Sequence, residues 1–517
     1  MLRNPNQFLL LWRTNNGGRW FCTERGSSWR PPTRKWNRSP SPSYNGSKEL
    51  STLYHKLTAL GKSNGSVVPV LNDWNLNLRK PLTRSDIVDF VDELRKYKQF
   101  NIALQLLEWM EMRGMHLSYS DHAKRIDLLW KTGGVVAAEK YFTEIPRPAK
   151  NKATYGALLN CFCNEKMKEK ATELLEQMKR RNFASSYHAY NSLMTLHMKL
   201  GEAEKVPALE EEMKKKNIPL NLFTYNLLMS SYASLKDTEG VERVLNEVER
   251  ASAVRPDWTL YCNVASVYVG AGLFEKADLV LKKIERRKML CDRKAFHFLL
   301  TLYASMGNAV EVNRIWESLK SSFPKTPNMS YLTMLQTLSR LNDLDGLKKC
   351  FDEWEKVRES NDIRLVNAVI TAYLKHDMIG EATSLLERAL QNGFKPSFST
   401  YVLFVEFYVK NRSMDLALKS MEIAITPNLK ENEMRMYFDK VLMFLKYFED
   451  EKDVDGAEEF CNILKKANCL NQEVYNFLLR IYMAAGRAEP QMRQRMKLDA
   501  IEISSETEKM LEFVCPD

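Results

Sequence analysis

The sequence is short of residues that interrupt helices. Only 20 glycines and 18 prolines occur in 517 residues, a balance that argues against a β-sandwich or a disordered chain. Long apolar runs are missing too. The longest one near the N-terminus, Phe8 to Trp12, falls far below the roughly 20 residues that a membrane helix needs, so no membrane partner is expected. Paired cysteines are absent. The nine cysteines are odd in number and include no C-x-x-C pair, which excludes a disulfide framework. Cys161 and Cys163 are two apart, a spacing that sends them to different faces of a helix. No His or Cys stands near them at ligand spacing, and the seven histidines are isolated. Neither a metal nor a cofactor is expected. No phosphate-binding Gly-rich loop, H-E-x-x-H or nucleophile elbow occurs, and no carboxylate cluster lies outside solvated helix faces. The sequence therefore gives no sign of an enzyme.

Acid is scarce in one place only. Residues 1–47 hold eight Arg or Lys and a single acid, Glu24. This segment carries +7 of the chain's formal +11 and leaves the other 470 residues at +4. Net charge alone does not announce a nucleic-acid binder there. The Arg-, Ser-, Asn- and Pro-rich segment has the composition of an organellar transit peptide. Arg19-Trp20-Phe21-Cys22-Thr23 fits a mitochondrial processing pattern, with the cut after Phe21 and the mature chain beginning near Cys22 in the mitochondrial matrix. The Ser/Pro-rich stretch Ser39 to Ser47 also suits plastid import, which keeps the chloroplast as the alternative.

What is present is a period. Stepping by 35 from Tyr155 gives Tyr190 and Tyr225, one step of 36 gives Tyr261, and steps of 35 then give Phe296, Tyr331, Val366 and Tyr401. A second series keeps the same phase: Ala171, Val206, Val241, Ala277, Val312, Leu347, Ala382 and Ala417. Both contain the single 36-step, which places one inserted residue in the region of Ala251–Arg255. In residues 152–186, Tyr155, Leu158, Leu159 and Phe162 mark one helical stripe. Ala171, Leu174, Leu175 and Met178 mark another. Each unit is thus a hairpin of two amphipathic helices. One hairpin cannot bury both stripes, whereas stacked copies can. The fold expected is an all-α solenoid of about 11–13 helix-turn-helix units.

The units are read as 84–118, 119–151, 152–186, 187–221, 222–257, 258–292, 293–327, 328–362, 363–397, 398–436, 437–471 and 472–506. Residues 49–83 form a degenerate capping hairpin, and 507–517 a tail. The run Glu210-Glu211-Glu212-Met213-Lys214-Lys215-Lys216 is expected to be a solvated helix end. Basic clusters Lys179-Arg180-Arg181 and Arg286-Arg287-Lys288 sit near second-helix C-termini. They suit either phosphates or the helix dipole.

Thr224-Tyr225-Asn226, Ala189-Tyr190-Asn191, Gly201, Gly272, Met178, Met213, Arg255-Pro256-Asp257 and Lys395-Pro396-Ser397 carry a family resemblance over residues 84 to about 506. The chain resembles the pentatricopeptide repeat family, and its uniform 35-residue units look like the P class of plant mitochondria. The resemblance implies a right-handed superhelix and binding of single-stranded RNA, one base per unit. It also implies two reading side chains per unit, one following the tyrosine and one ending the unit. On this sequence they are Asn191 with Asn221, Asn226 with Asp257, and Asn367 with Ser397, all pyrimidine-leaning, while Cys262 with Asp292 is ambiguous. Base-stacking residues fall on Ala153, Phe223 and Met329; the matching places elsewhere hold polar or charged residues such as His188, Lys294 and Arg364. Val88, Ala123, Gly156, Leu332 and Val402 stand where readers are expected and offer no side-chain donor or acceptor. An Asn or Asp at a unit end equally suits capping of the next helix. The function implied is RNA processing, stability or translation. The alternative is a protein-interaction scaffold on the mitochondrial ribosome or with RNA-processing proteins.

Overall fold

The structure, a computed structural model, describes residues 48–63, 65–77, 82–251, 254–287, 289–290, 292–424, 438–466 and 470–515. The transit-peptide reading of 1–47, its cut after Phe21, and Cys22, Cys291 and Cys469 lie outside them. Among the described residues there are 26 α-helices, two short 3-10 turns and no strand. None of these helices is long and apolar enough to cross a membrane. They fall into two compact parts, one ending at Met289 and one starting at Leu290.

In the first part, helices Lys152–Asn164 and Lys168–Arg180 occupy the interval 152–186, and the next intervals repeat the pattern. The first helix of each of these units packs on the first helix of the next, through Tyr187–Leu200, Leu222–Ser234 and Trp258–Gly270. The second part does the same through Arg293–Ser305, Asn328–Arg340, Ile363–Lys375 and Phe398–Lys410. Stacking hairpins in register is the α-solenoid architecture.

The two phased series explain why the stacking holds. Ala171, Val206, Val241, Ala277, Val312, Leu347, Ala382 and Ala417 are all 0% exposed. Small and branched side chains let the two helices of a hairpin approach closely. Tyr155, Tyr190, Tyr225, Tyr261, Phe296, Tyr331 and Val366 are likewise buried. Where the matching acid exists, the tyrosine clasps the second helix of its own unit. Tyr190, Tyr225 and Tyr331 donate through their hydroxyls to Glu212 (3.0 Å), Glu247 (3.2 Å) and Glu353 (2.9 Å). The inserted residue lies in the seven-residue connection between Thr238–Arg250 and Trp258–Gly270, where neighbouring connections have six or fewer.

Two places depart from the sequence reading. The interval 119–151 holds a run Tyr119–Glu144 broken at Gly134, whose φ of 78° and ψ of 179° no side-chain-bearing residue adopts readily. Residues 507–517 are not a plain tail. Helix Ser505–Val514 packs on Gln472–Ala485 and fully buries Leu511 and Val514. The pattern Thr507, Met510, Leu511, Val514 supplies its buried stripe; Glu506 and Glu512 face outward, while Glu508 pairs with Arg493.

Candidate nucleic-acid interface

From the unit ending at Ser118 to the one ending at Ser397, and again at Asn471, the residue that ends a unit is the N-cap of the next first helix. Asn151, Asn221, Asp257, Asp292, Asp362 and Asn471 each accept a backbone N–H from that helix. Free N–H groups at a helix start need such an acceptor. Three of the expected unit-end readers, Asn221, Asp257 and Asp292, therefore already hold a structural bond. Ser397 takes the same cap position, its backbone N–H donating to Thr400 Oγ1 at 3.2 Å. Ser186 differs: it stands at the N-cap of Tyr187–Leu200 without a side-chain capping bond.

The residues that follow the tyrosine meet unequal surroundings. Asn191 is 0% exposed. Its Nδ2 donates to Asn221 Oδ1 at 3.3 Å, and its Oδ1 accepts from Thr224 Oγ1 at 2.9 Å. The structure thus brings the expected pair Asn191 and Asn221 together and bonds them to each other. Asn226 is also buried; its Nδ2 donates to Leu222 O at 3.1 Å and its Oδ1 accepts from Asn263 at 2.9 Å. Cys262 is buried, and burial pushes its thiol pKa up. Asn367 is half-buried, and its Oδ1 is shielded from solvent with no hydrogen-bond partner. His297, at the same place in its unit, lies 2.8 Å from Ser330 Oγ through Nε2, and burial lowers its pKa. A hydroxyl one turn later bonds the reader's own carbonyl in four units: Thr195, Ser230, Thr301 and Thr371. Such bonds fasten the hydroxyl to the helix it sits on.

Of the stacking candidates, Met329 is 49% exposed while Ala153 and Phe223 are half-buried. A cavity of about 390 Å³ is lined by Ala153 and by His188, which holds the equivalent place one unit on. A row of cations runs along the second part. Arg340, Lys375 and Lys410 are exposed, each in the last turn of a first helix and 35 residues from the next. In its unit, Lys375 lies two helical turns beyond Asn367, in line with Thr371.

Known proteins share this chain's pattern. Residues 185–234 match the PPR repeat family, and residues 153–183, 223–252 and 365–394 match the PPR repeat. A mitochondrial pentatricopeptide repeat-containing protein of Arabidopsis thaliana is 39% identical over 90% of this chain and 87% of its own length. The chain belongs to the pentatricopeptide repeat family. The large ribosomal subunit protein mL101 (rPPR4) of the same plant is 42% identical over 90% of this chain and 95% of its own. The crystal structure of the maize pentatricopeptide repeat protein PPR10 shares the fold, with a TM-score of 0.51 and 21% identity. That likeness covers 71% of this chain and 57% of the maize chain. PPR10 has also been solved in complex with an 18-nt psaJ RNA element.

Within this repeat protein, much of the second-helix charge is spent between units. Lys179, Lys214 and Lys320 reach Glu212 (2.9 Å), Glu247 (3.0 Å) and Glu353 (3.4 Å) of the following unit. The run 210–216 is a solvated end on one side only: Glu211, Lys214, Lys215 and Lys216 are exposed at the close of helix Val206–Lys215. Glu210 and Met213 are buried, and Lys214 joins Glu210 (2.6 Å) to Glu247. The run sits where one unit packs on the next, so Glu210 and Met213, one helical turn apart, face inward. Burial alone would raise the Glu212 carboxyl, but hydrogen bonds from Lys216, Lys179 and Tyr190 outweigh it and hold the pKa at about 2. Of the basic clusters, Lys179 is taken by Glu176 and Glu212, while Arg181 and Arg287 stack on Tyr155 and Tyr261. The cation row and the cavity escaped the sequence reading, although the same 35-residue step finds Arg340, Lys375 and Lys410.

Proposed function

We propose that this protein binds single-stranded RNA in mitochondria and serves RNA processing, stability or translation without catalysis. The observation that carries this reading is the exposed row Arg340, Lys375 and Lys410 on the helices that bear the reading positions. Regular cations suit a phosphodiester chain, and Asn367, two turns before Lys375 on the same helix, carries an Oδ1 that is shielded from solvent and has no hydrogen-bond partner within the protein. Family membership and the RNA complex of PPR10 support it. In this reading, 84–506 is the RNA-facing array of P-class units, and 1–47 is a presequence cut after Phe21. The contacting residues are sought among Asn191, Asn221, Asn226, Asp257, Cys262, Asp292, Asn367 and Ser397, with Ala153, Phe223 and Met329 against the bases. The internal bonds of Asn191 and Asn226 leave Asn367 with Ser397 the best placed pair. Filter binding of the mature chain to pyrimidine-rich RNA pools tests it. Affinity that falls as salt rises is expected; no binding below micromolar at low salt sinks it.

A second reading, a subunit docked on the mitochondrial ribosome, is favoured by two observations. One is the 42% identity to the ribosomal protein mL101. The other is that the buried amides Asn191 and Asn226 are already bonded inside the array. Sedimentation separates the two readings: a ribosomal subunit tracks with large subunits after nuclease treatment, and a free RNA binder does not.

A further inference from the structure

The 390 Å³ cavity falls in the unit whose reading position, Gly156, has no side chain. Six of the residues that line it are Asn151, Ala153, Gly156, Asn160, Ser186 and His188. Its volume is in the range of about 300–1,000 Å³ typical of small-ligand sites. Three features make it unlike the other units. A Cβ at Gly156 would meet nothing within 4 Å, so this reading position opens onto free space. The hydroxyl of Ser186 is not used as a cap, whereas the side chains of Asn151, Asn221 and Asp257 are. Asn151 Nδ2 is buried with no hydrogen-bond partner, while its Oδ1 is occupied by Ala153 N–H at 2.8 Å. Asn160 Oδ1 is likewise occupied, by Asn164 at 3.1 Å. The polar groups left over in the wall are thus mainly donors.

We infer that this cavity takes a purine base of the bound RNA, so that Gly156 selects by the room it leaves and not by a hydrogen bond. The inference rests on the RNA-binding reading above. Two fused rings cover more of the apolar wall and of the His188 imidazole than one ring does, and base stacking on such faces is tolerant of which purine is present. Both purines carry N7, an acceptor with no counterpart on a pyrimidine, and N–H or O–H groups of Asn151, Asn160 and Ser186 are the donors available to it. The unit that a pairing code would pass over as silent becomes one that discriminates by shape.

In vitro selection from a random single-stranded RNA pool tests this with the mature chain, Gly156→Leu and Ser186→Ala. The wild-type pool is expected to hold one position enriched roughly tenfold in purine over pyrimidine. Gly156→Leu fills the void and replaces a helical glycine, so its melting temperature should rise while that one position loses its preference and the rest of the motif stays. Ser186→Ala should weaken the same position only. A wild-type motif without a purine position, or a Gly156→Leu pool that keeps one, overturns the inference with RNA binding intact. Failure to enrich any RNA over a resin control overturns the RNA-binding reading, and this inference falls with it.

Discussion

Asn191 and Asn367 stand at equivalent places in their units and meet opposite surroundings. Asn191 is sealed by Asn221 and Thr224, whereas the Oδ1 of Asn367 is shielded from solvent without any hydrogen-bond partner. Asn191→Ala leaves the Thr224 hydroxyl and the Asn221 carbonyl without that partner. It should cost about 1–2 kcal/mol in chemical denaturation and leave RNA preference unchanged. Asn367→Ala removes a shielded acceptor that has no partner, so it should leave stability unchanged or slightly raised and relax base preference at one position of a selected motif. Glu212 gives a pH prediction. Its carboxyl titrates at about 2 in the folded chain, below its ordinary value of 4.5. A depressed carboxylate adds stability that is complete above the unfolded pKa and is lost as pH falls through the folded one. Glu212→Gln should therefore lower stability at neutral pH by on the order of 1 kcal/mol. The gap from wild type should close between pH 4.5 and 2 in melts recorded across that range.

At the scale of the element, each hairpin turns through a residue with positive φ: Lys166, Gly201, Lys236, Gly272, Gly307, Asn342, Asp377 and Arg412. The left-handed conformation costs a residue with a Cβ roughly 1–2 kcal/mol, and glycine nothing of that kind. Gly272→Ala should destabilise by about 1 kcal/mol, with a lower midpoint in urea at unchanged slope. Lys236→Gly should shift the midpoint by less and upward, because glycine gives back part of the gain as chain entropy. The hairpins themselves were legible, because Leu158, Leu175 and their equivalents fix both stripes. The break at Gly134 and the last helix Ser505–Val514 were not. A glycine forces a kink only where neighbours hold the chain to it, and ten residues of helix form only against a partner.

For the whole molecule, the modest +4 of residues beyond the presequence resolves into two unlike surfaces. Second-helix lysines are held by glutamates of the next unit, while Arg340, Lys375 and Lys410 stay exposed. Changing those three to alanine should weaken RNA binding whatever the base sequence. It should also reduce the slope of log affinity against log salt by about 2, from roughly 0.7 per phosphate contact on a single strand. An unchanged slope would assign RNA contact to other residues.

The sequence by itself determined the helices, their 35-residue pitch, the buried series from Ala171 to Ala417 and the polar residue that starts each new hairpin. Those are consequences of local periodicity and of caps that act within a few residues. Only the tertiary structure decided which polar groups remain for a ligand. Asn191 is silenced by Asn221 at the far end of its own unit and by Thr224 of the next, Asn226 by Asn263 of the next, and Lys214 is neutralised by Glu247 of the next. A hydrogen bond is won by whichever group arrives in reach, and what arrives from some 30 residues away is settled by how the hairpins stack.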